Sequence, residues 1–64
     1  MFAKNIRKIR LARDFTQAYV AEHSKITKRY YQEIEAGRKS PTVGVVVRLR
    51  KTLKCTWDEL FKGL

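Results

Sequence analysis

Three threonines each stand directly before a short segment with helical spacing. They are Thr16, Thr27 and Thr56. A threonine in the N-cap position accepts a hydrogen bond from a free backbone N–H of the first helical turn, so each one marks a helix start. Glu59, three residues after Thr56, completes the pattern of a capping box. The sequence therefore predicts a chain of short helices joined by tight turns.

Apolar residues at spacings of three and four extend this pattern along the chain. Phe2, Ile6 and Ile9 predict a first amphipathic helix over about residues 2–13. A second helix fits residues 17–23, and a third follows Thr27 as far as the glycine at position 37. The capping box at Thr56 predicts a fifth helix over about residues 57–62.

The valine-rich segment that begins at Thr42 is ambiguous, because a β-branched run of this length also suits a buried strand. We favour a fourth helix for two reasons. A single strand would have no partner, and the spacing of three and four continues through the segment. The residues that carry this spacing are Val43, Val46, Leu49 and Leu53.

Length and charge limit the possible functions. The chain has 64 residues, 15 Lys or Arg against 6 Asp or Glu, and a formal net charge of +9. A chain of about 60 residues buries only roughly 60% of its unfolded surface, so we expect one domain over residues 1–64 without an enclosed active site. The positive charge favours a polyanionic partner, which composition leaves open as nucleic acid, an acidic protein surface or anionic lipid.

The few residues with reactive side chains do not form a catalytic or metal-binding pattern. Cys55 has no second cysteine for a disulfide, and with His23 it does not complete a zinc site. We therefore expect no enzyme activity, metal or cofactor. The chain carries no apolar stretch of membrane-spanning length and no signal peptide, so we expect a cytoplasmic protein with no membrane partner. We interpret Cys55 as a core residue, with a reactive thiol as the alternative.

The residues that mark the turns and helix ends resemble those of the phage repressor and Cro family of helix-turn-helix domains, the XRE-like group. The matching segments are Ile6–Arg10, Thr16–Gln17, Val20–Ala21, Ile34–Gly37, Pro41 and Thr56–Leu60. The resemblance implies an all-α, five-helix, lambda-repressor-like domain whose helix-turn-helix is formed by helices 2 and 3. It also implies a bacterial or phage-encoded, nucleoid-associated transcriptional regulator. Such a regulator, most often a repressor, binds a pseudo-palindromic double-stranded DNA operator as a homodimer.

The third helix supplies the residues expected to read bases. If Tyr31 and Ile34 face inward, the opposite face points to the groove. The expected base-reading residues are Thr27, Lys28, Arg29, Gln32 and Glu33. Lys and Arg suit the acceptors of guanine and Glu suits the amino group of cytosine, so half-sites with G·C pairs are expected. An alternative for Arg29 and Glu33 is a pair with each other in solvent.

Other residues are expected to hold the DNA backbone or a second subunit. The phosphate-binding set is Arg10, Thr16, Gln17, Arg38, Lys39, Ser40 and Thr42. The resemblance further implies an ion pair between Arg10 and Glu35, and a dimer contact near Trp57, Arg50 and Thr56. Alternatives are simple solvation for Gln17 and for both members of the ion pair, and partial core burial for Trp57.

Four positions depart from the pattern of the family. Lys25 and Asp14 stand where glycine is frequent, Ser24 stands where an apolar residue is usual, and Arg50 replaces a small alanine. A lysine in the left-handed region costs roughly 1 kcal/mol, so the turn is either strained or differently shaped.

Three other functions are compatible with this composition. The first is a DNA-binding antitoxin that also grips a toxin protein, the second is an RNA- or ribosome-associated module, and the third is a membrane-active cationic peptide. No effector module fits in 64 residues, so no small-molecule effector is expected for this segment.

Overall fold

The computed structural model describes residues 2–63 and contains five α-helices in this part of the chain. They are α1 (Phe2–Ala12), α2 (Gln17–His23), α3 (Lys28–Glu35), α4 (Val43–Leu53) and α5 (Trp57–Leu60). The all-α prediction is confirmed, and the valine-rich segment is a helix. α5 ends two residues earlier than predicted, because Phe61 leaves the helical region with φ −106°. Within residues 2–63, every helix is too short and too polar to cross a lipid bilayer.

The predicted helix starts are confirmed by their hydrogen bonds. Thr16 accepts from the backbone N–H of Tyr19 at 3.0 Å, and Thr27 accepts from that of Tyr30 at 3.0 Å. Thr56 and Glu59 form both bonds of the capping box. These bonds satisfy backbone donors that a helix cannot satisfy internally, and each contributes about 0.5–2 kcal/mol.

The first four helices share one type of ending. In each, a residue in the left-handed region follows the last turn, and paired backbone hydrogen bonds close it in the Schellman pattern. The four residues are Asp14 (φ 58°), Lys25 (φ 58°), Gly37 (φ 78°) and Lys54 (φ 52°). Glycine adopts this conformation freely, whereas the other three carry a Cβ that it disfavours. The turn between α2 and α3 therefore keeps the left-handed shape, with Lys25 strained in it.

The core lies between all five helices. Its fully buried side chains include Ile6, Val20, Tyr31, Ile34, Leu49, Leu53 and Leu60. Val43, the first residue of the three-and-four spacing, does not lie in the core, because it is 80% exposed while Val45 is 6% exposed. Val43 is the first residue of α4, and the helix reaches the core only beyond this first residue. The buried face of α4 is therefore Val45, Leu49 and Leu53, with Val46 half-buried.

Two residues of α4 hold the turn between α2 and α3. The Ser24 side chain is fully buried and its hydroxyl donates to Oγ1 of Thr52 at 2.9 Å. Nε of Arg48 donates to the carbonyl oxygen of Ser24 at 2.8 Å. The serine side chain at this position thus replaces apolar packing with one hydrogen bond to α4, and the fold accommodates the departure from the family.

Candidate nucleic-acid interface

The outward face of α3 carries the side chains that the sequence predicted to read bases. Tyr31, Ile34 and Glu35 are buried, so the opposite face of the helix points to solvent. Four exposed residues lie on that face, Thr27, Lys28, Arg29 and Gln32, together with Glu33, whose side chain is half-buried. Ala36, which the sequence analysis did not include, follows α3 and lies about two turns from Arg29 on the same side. Its methyl group suits contact with the methyl group of thymine.

Arg29 and Glu33 are close enough to pair. Nε of Arg29 lies 3.7 Å from Oε1 of Glu33, while the Arg29 side chain is 90% exposed. An exposed pair four residues apart on a helix contributes only about 0.3–0.5 kcal/mol, so it leaves the guanidinium free to move. The pair therefore leaves Arg29 exposed on the outward face of α3.

Arg10 and Glu35 form a two-point ion pair between α1 and α3. Nε of Arg10 donates to Oε2 of Glu35 at 2.9 Å, and Nη2 donates to Oε1 at 2.8 Å. Nη1 of Arg10 also donates to the carbonyl oxygen of Phe15 at 2.9 Å. The solvated alternative does not describe this pair, because the two side chains are 11% and 4% exposed.

The burial of Arg10 argues against its predicted phosphate contact. Its guanidinium already donates to two protein groups and faces the interior. Arg7, one helical turn earlier, is the better surface group: its side chain is 64% exposed and its Nε lies 3.8 Å from Oε1 of Glu35. Sequence reasoning missed Arg7, although its spacing of three residues from Arg10 is a signal that could have indicated it.

The ion pair keeps Glu35 ionised. Burial alone raises the pKa of this carboxyl group, but hydrogen bonding by Arg10, the adjacent Tyr31 hydroxyl, the charge of Arg10 and the Gln17 amide together outweigh that effect and hold the pKa below its ordinary value. The carboxylate can therefore only accept hydrogen bonds at neutral pH.

Gln17, the first residue of α2, joins the same cluster. Its Nε2 donates to Oε1 of Glu35 at 3.3 Å, and its Oε1 accepts from Nε2 of Gln32 at 3.3 Å. Gln17 is therefore held by α3 rather than simply solvated. The hydroxyl of Thr16, the preceding residue, already accepts a bond as the N-cap of α2.

The segment after α3 supplies exposed cations beside this face. Arg38, Lys39 and Ser40 follow Gly37 and are all exposed. The backbone N–H groups of Arg38 and Lys39 donate to the carbonyl oxygen of Glu33, so the segment is fixed to the end of α3. Thr42 is exposed and caps α4, accepting from the N–H of Val45 at 3.4 Å.

The residues predicted for a dimer contact lie together on another surface. The Trp57 side chain is 45% exposed, and the guanidinium carbon of Arg50 lies 5.0 Å from the centroid of its ring. Phe61, 40% exposed, stacks on Trp57 with ring centroids 6.0 Å apart. Thr56 is exposed, and its side chain is engaged in the capping box. We call Arg50, Trp57 and Phe61 the aromatic face.

The residues with reactive side chains are not gathered into a site. Within residues 2–63, no group of three His, Cys, Asp or Glu side chains is placed to hold a metal ion. Cys55 is 4% exposed, and burial raises the pKa of its thiol, which suits a core residue.

Comparison with known proteins identifies the fold family. The family model described as helix-turn-helix matches residues 6–60, which includes α2, the turn and α3. The chain belongs to the helix-turn-helix family. The resemblance drawn from the sequence is confirmed, and the chain is a transcriptional regulator of the helix-turn-helix type.

The chain is similar in sequence to two proteins from Bacillus subtilis (strain 168). It is 36% identical over 64 residues to the uncharacterized HTH-type transcriptional regulator YqaF, covering 100% of this chain and 84% of that protein. It is 30% identical over 63 residues to the uncharacterized HTH-type transcriptional regulator YqaE, covering 98% of this chain but only 54% of that protein.

A solved structure shows the same arrangement of helices. The restriction-modification controller protein C.AhdI from Aeromonas hydrophila superposes with a TM-score of 0.89 at 25% sequence identity, over 94% of this chain and 91% of that chain. The five-helix architecture is therefore that of a known controller protein.

Proposed function

We propose that this helix-turn-helix regulator is a repressor that binds a pseudo-palindromic DNA operator as a homodimer. The observation that carries the proposal is the exposed face of α3, where Lys28 and Arg29 follow a capped helix start. The cations of the next loop, Arg38 and Lys39, flank it. A face of this shape fits the major groove, with the loop against the phosphates.

The position of each side chain on this surface suggests whether it contacts a base or a phosphate. Thr27, Lys28, Arg29 and Glu33 are proposed to meet base edges, with Ala36 added from the structure. Arg7, Thr16, Gln17, Arg38, Lys39, Ser40 and Thr42 are proposed to meet phosphate. Arg10 is proposed to act through its ion pair with Glu35, which fixes α3 against α1 and thereby sets the angle of the reading face.

The aromatic face is proposed to be the contact between the two subunits. Trp57 and Phe61 expose apolar rings, and Val43 lies two turns before Arg50 on the same stripe of α4. Exposed apolar side chains gathered in one patch mark an interaction surface. A second copy of the chain would cover them and place two α3 helices on one side of the duplex. A toxin protein seated on the same face is the alternative occupant.

Selection of duplexes from a random pool tests the proposal directly. The expected result is two inverted half-sites about 10–10.5 base pairs apart, centre to centre, with G·C pairs in each half. Sedimentation of the protein with and without the selected duplex reports the number of subunits. Enrichment of a single half-site with one bound subunit would argue against the homodimer, and absence of any enrichment would argue against sequence-specific DNA binding.

A further inference from the structure

The amide of Gln17 is held in one of its two possible orientations by groups on α3. Its nitrogen faces the Glu35 carboxylate and its oxygen faces the side-chain nitrogen of Gln32, both at 3.3 Å. A carboxylate only accepts hydrogen bonds and an amide nitrogen only donates them. Turning the Gln17 amide by 180° would set oxygen against oxygen and nitrogen against nitrogen, and both bonds would be broken.

This orientation decides what Gln17 offers to an incoming anion. The amide nitrogen carries two hydrogens, of which Glu35 takes one. The oxygen, which would repel a phosphate, is turned toward Gln32. The second N–H is thus the group that Gln17 can direct at a phosphate oxygen.

The charges around the amide favour an anion despite the nearby carboxylate. Nη2 of Arg10 lies 2.8 Å and Nε of Arg7 lies 3.8 Å from Oε1 of Glu35, so two cations surround one acid. The Arg7 side chain is 64% exposed, so its charge remains accessible from solvent. A phosphate placed beside Gln17 would therefore meet net positive charge.

The position of Gln32 on α3 separates it from the base-reading side chains. It lies three residues after Arg29 and three before Glu35, between the outward face and the buried ion pair. Its amide nitrogen is engaged with α2, whereas Arg29 is paired with Glu33 on its own helix.

We propose that Gln32 is a positioning residue that holds the Gln17 amide with its N–H toward a backbone phosphate, rather than a residue that reads a base. The proposal rests on the function proposed above and changes the predicted role of one residue. The outward face of α3 would read the base sequence. Gln32, beside that face, would orient the Gln17 amide of α2 toward a phosphate.

A double-mutant cycle on a duplex selected with the unaltered protein tests the assignment. Gln32→Met removes the donor and keeps the length of the side chain. We expect it to weaken binding about 3- to 10-fold, the size of one hydrogen bond. In a Gln17→Ala background the same change should alter binding less than about twofold, because the amide to be positioned is gone. Methylphosphonate substitution of single phosphates should locate one phosphate whose neutralisation weakens binding more in the unaltered protein than in Gln17→Ala or Gln32→Met.

The bases preferred by the Gln32 variant distinguish a positioning residue from a base-reading residue. Duplexes selected with Gln32→Met should show the same preferred bases as the unaltered protein, whereas Arg29→Met, the matched control on the same helix, should change one base pair. Thermal unfolding of Gln32→Met should match that of the unaltered protein. Two results would overturn the role assigned to Gln32 without affecting the proposed function. One is a changed preferred base with Gln32→Met, and the other is an equally large effect of Gln32→Met in the Gln17→Ala background. Failure of the unaltered protein to enrich any duplex would instead remove the proposed function.

Discussion

The buried hydroxyl of Ser24 donates to Oγ1 of Thr52, 2.9 Å away, and so connects the turn of the helix-turn-helix to α4. Ser24 is fully buried, whereas Thr52 is half-buried and can also reach water. The two substitutions are therefore expected to differ in cost. Removal of the Thr52 hydroxyl leaves the buried Ser24 donor without an acceptor, whereas removal of the Ser24 hydroxyl leaves a Thr52 hydroxyl that can bond to water.

Thr52→Val is expected to destabilise the protein by about 1–3 kcal/mol, because the Ser24 hydroxyl then has no acceptor in the interior. The double variant Ser24→Ala with Thr52→Val removes both polar groups and should be destabilised by less than the sum of the two single changes. Urea unfolding of the four proteins measures the coupling. Additive effects would show that the bond contributes no stability.

Lys25→Gly is expected to stabilise the protein by about 0.5–1 kcal/mol, since glycine adopts the left-handed φ of 58° without strain. The melting temperature of a domain of this size should rise by about 2–8 °C. Lys25→Ala is the matched control: it removes the same charge but keeps a Cβ. A gain shared equally by both variants would assign the effect to charge instead of backbone conformation.

Acid is expected to weaken the fold through Glu35. Its pKa is lowered in the folded state, so the carboxylate contributes stability that is present above the ordinary value of 4.5 and disappears as the pH falls through the lowered pKa. Chemical unfolding at a series of pH values below about 5 should show this decline. In the double variant Arg10→Met with Glu35→Gln, the free energy of unfolding should decrease less steeply as the pH falls. An unchanged pH dependence would contradict the assignment of the effect to this pair.

Arg29→Ala is expected to weaken binding to the best duplex by about 1–3 kcal/mol and to relax preference at one base pair. The reason is that its guanidinium is exposed on the outward face of α3 and its pair with Glu33 is weak. Titrations against single-base variants of the site measure both effects. If Arg29→Ala weakened binding equally on every duplex, Arg29 would contact a phosphate and not a base.

Arg38→Ala and Lys39→Ala are expected to weaken binding to all sequences alike. A side chain that neutralises one phosphate contributes about −0.9 to the slope of log affinity against log salt, so one substitution should make the slope of the proposed dimer shallower by about two. The unaltered dimer, if it neutralises roughly eight phosphates, should show a slope of about −7. A slope shallower than about −2 would be incompatible with two subunits on the duplex.

Helix starts, and the end of α3, were predictable from the sequence because they depend on local chemistry. Thr16 and Thr56 cap their helices within four residues, and Gly37 ends α3 through its own backbone freedom. The inward face of α4 was not predictable in the same way. Apolar residues at positions 43 and 45–47 fit two overlapping helical faces, and only packing against the other helices selects Val45 over Val43.

The roles of charged residues required the tertiary structure. Arg7 and Arg10 lie on one helix and share the same chemistry, yet one side chain is 64% exposed and the other 11%. The difference arises from Glu35, which lies 25 residues away from Arg10 along the chain. Likewise, the spacing of α3 placed Gln32 near the reading face but could not show its bond to Gln17, which depends on how α2 crosses α3.

Trp57 is the single tryptophan of the chain, and it lies 45% exposed beneath Arg50 instead of in the core. Its indole emission therefore reports on the aromatic face with no contribution from a second indole. Association through that face would take the ring out of water and shift its fluorescence to shorter wavelength at protein concentrations where helix content stays constant. The molecule thus carries an intrinsic optical probe whose response to self-association is separate from its response to unfolding.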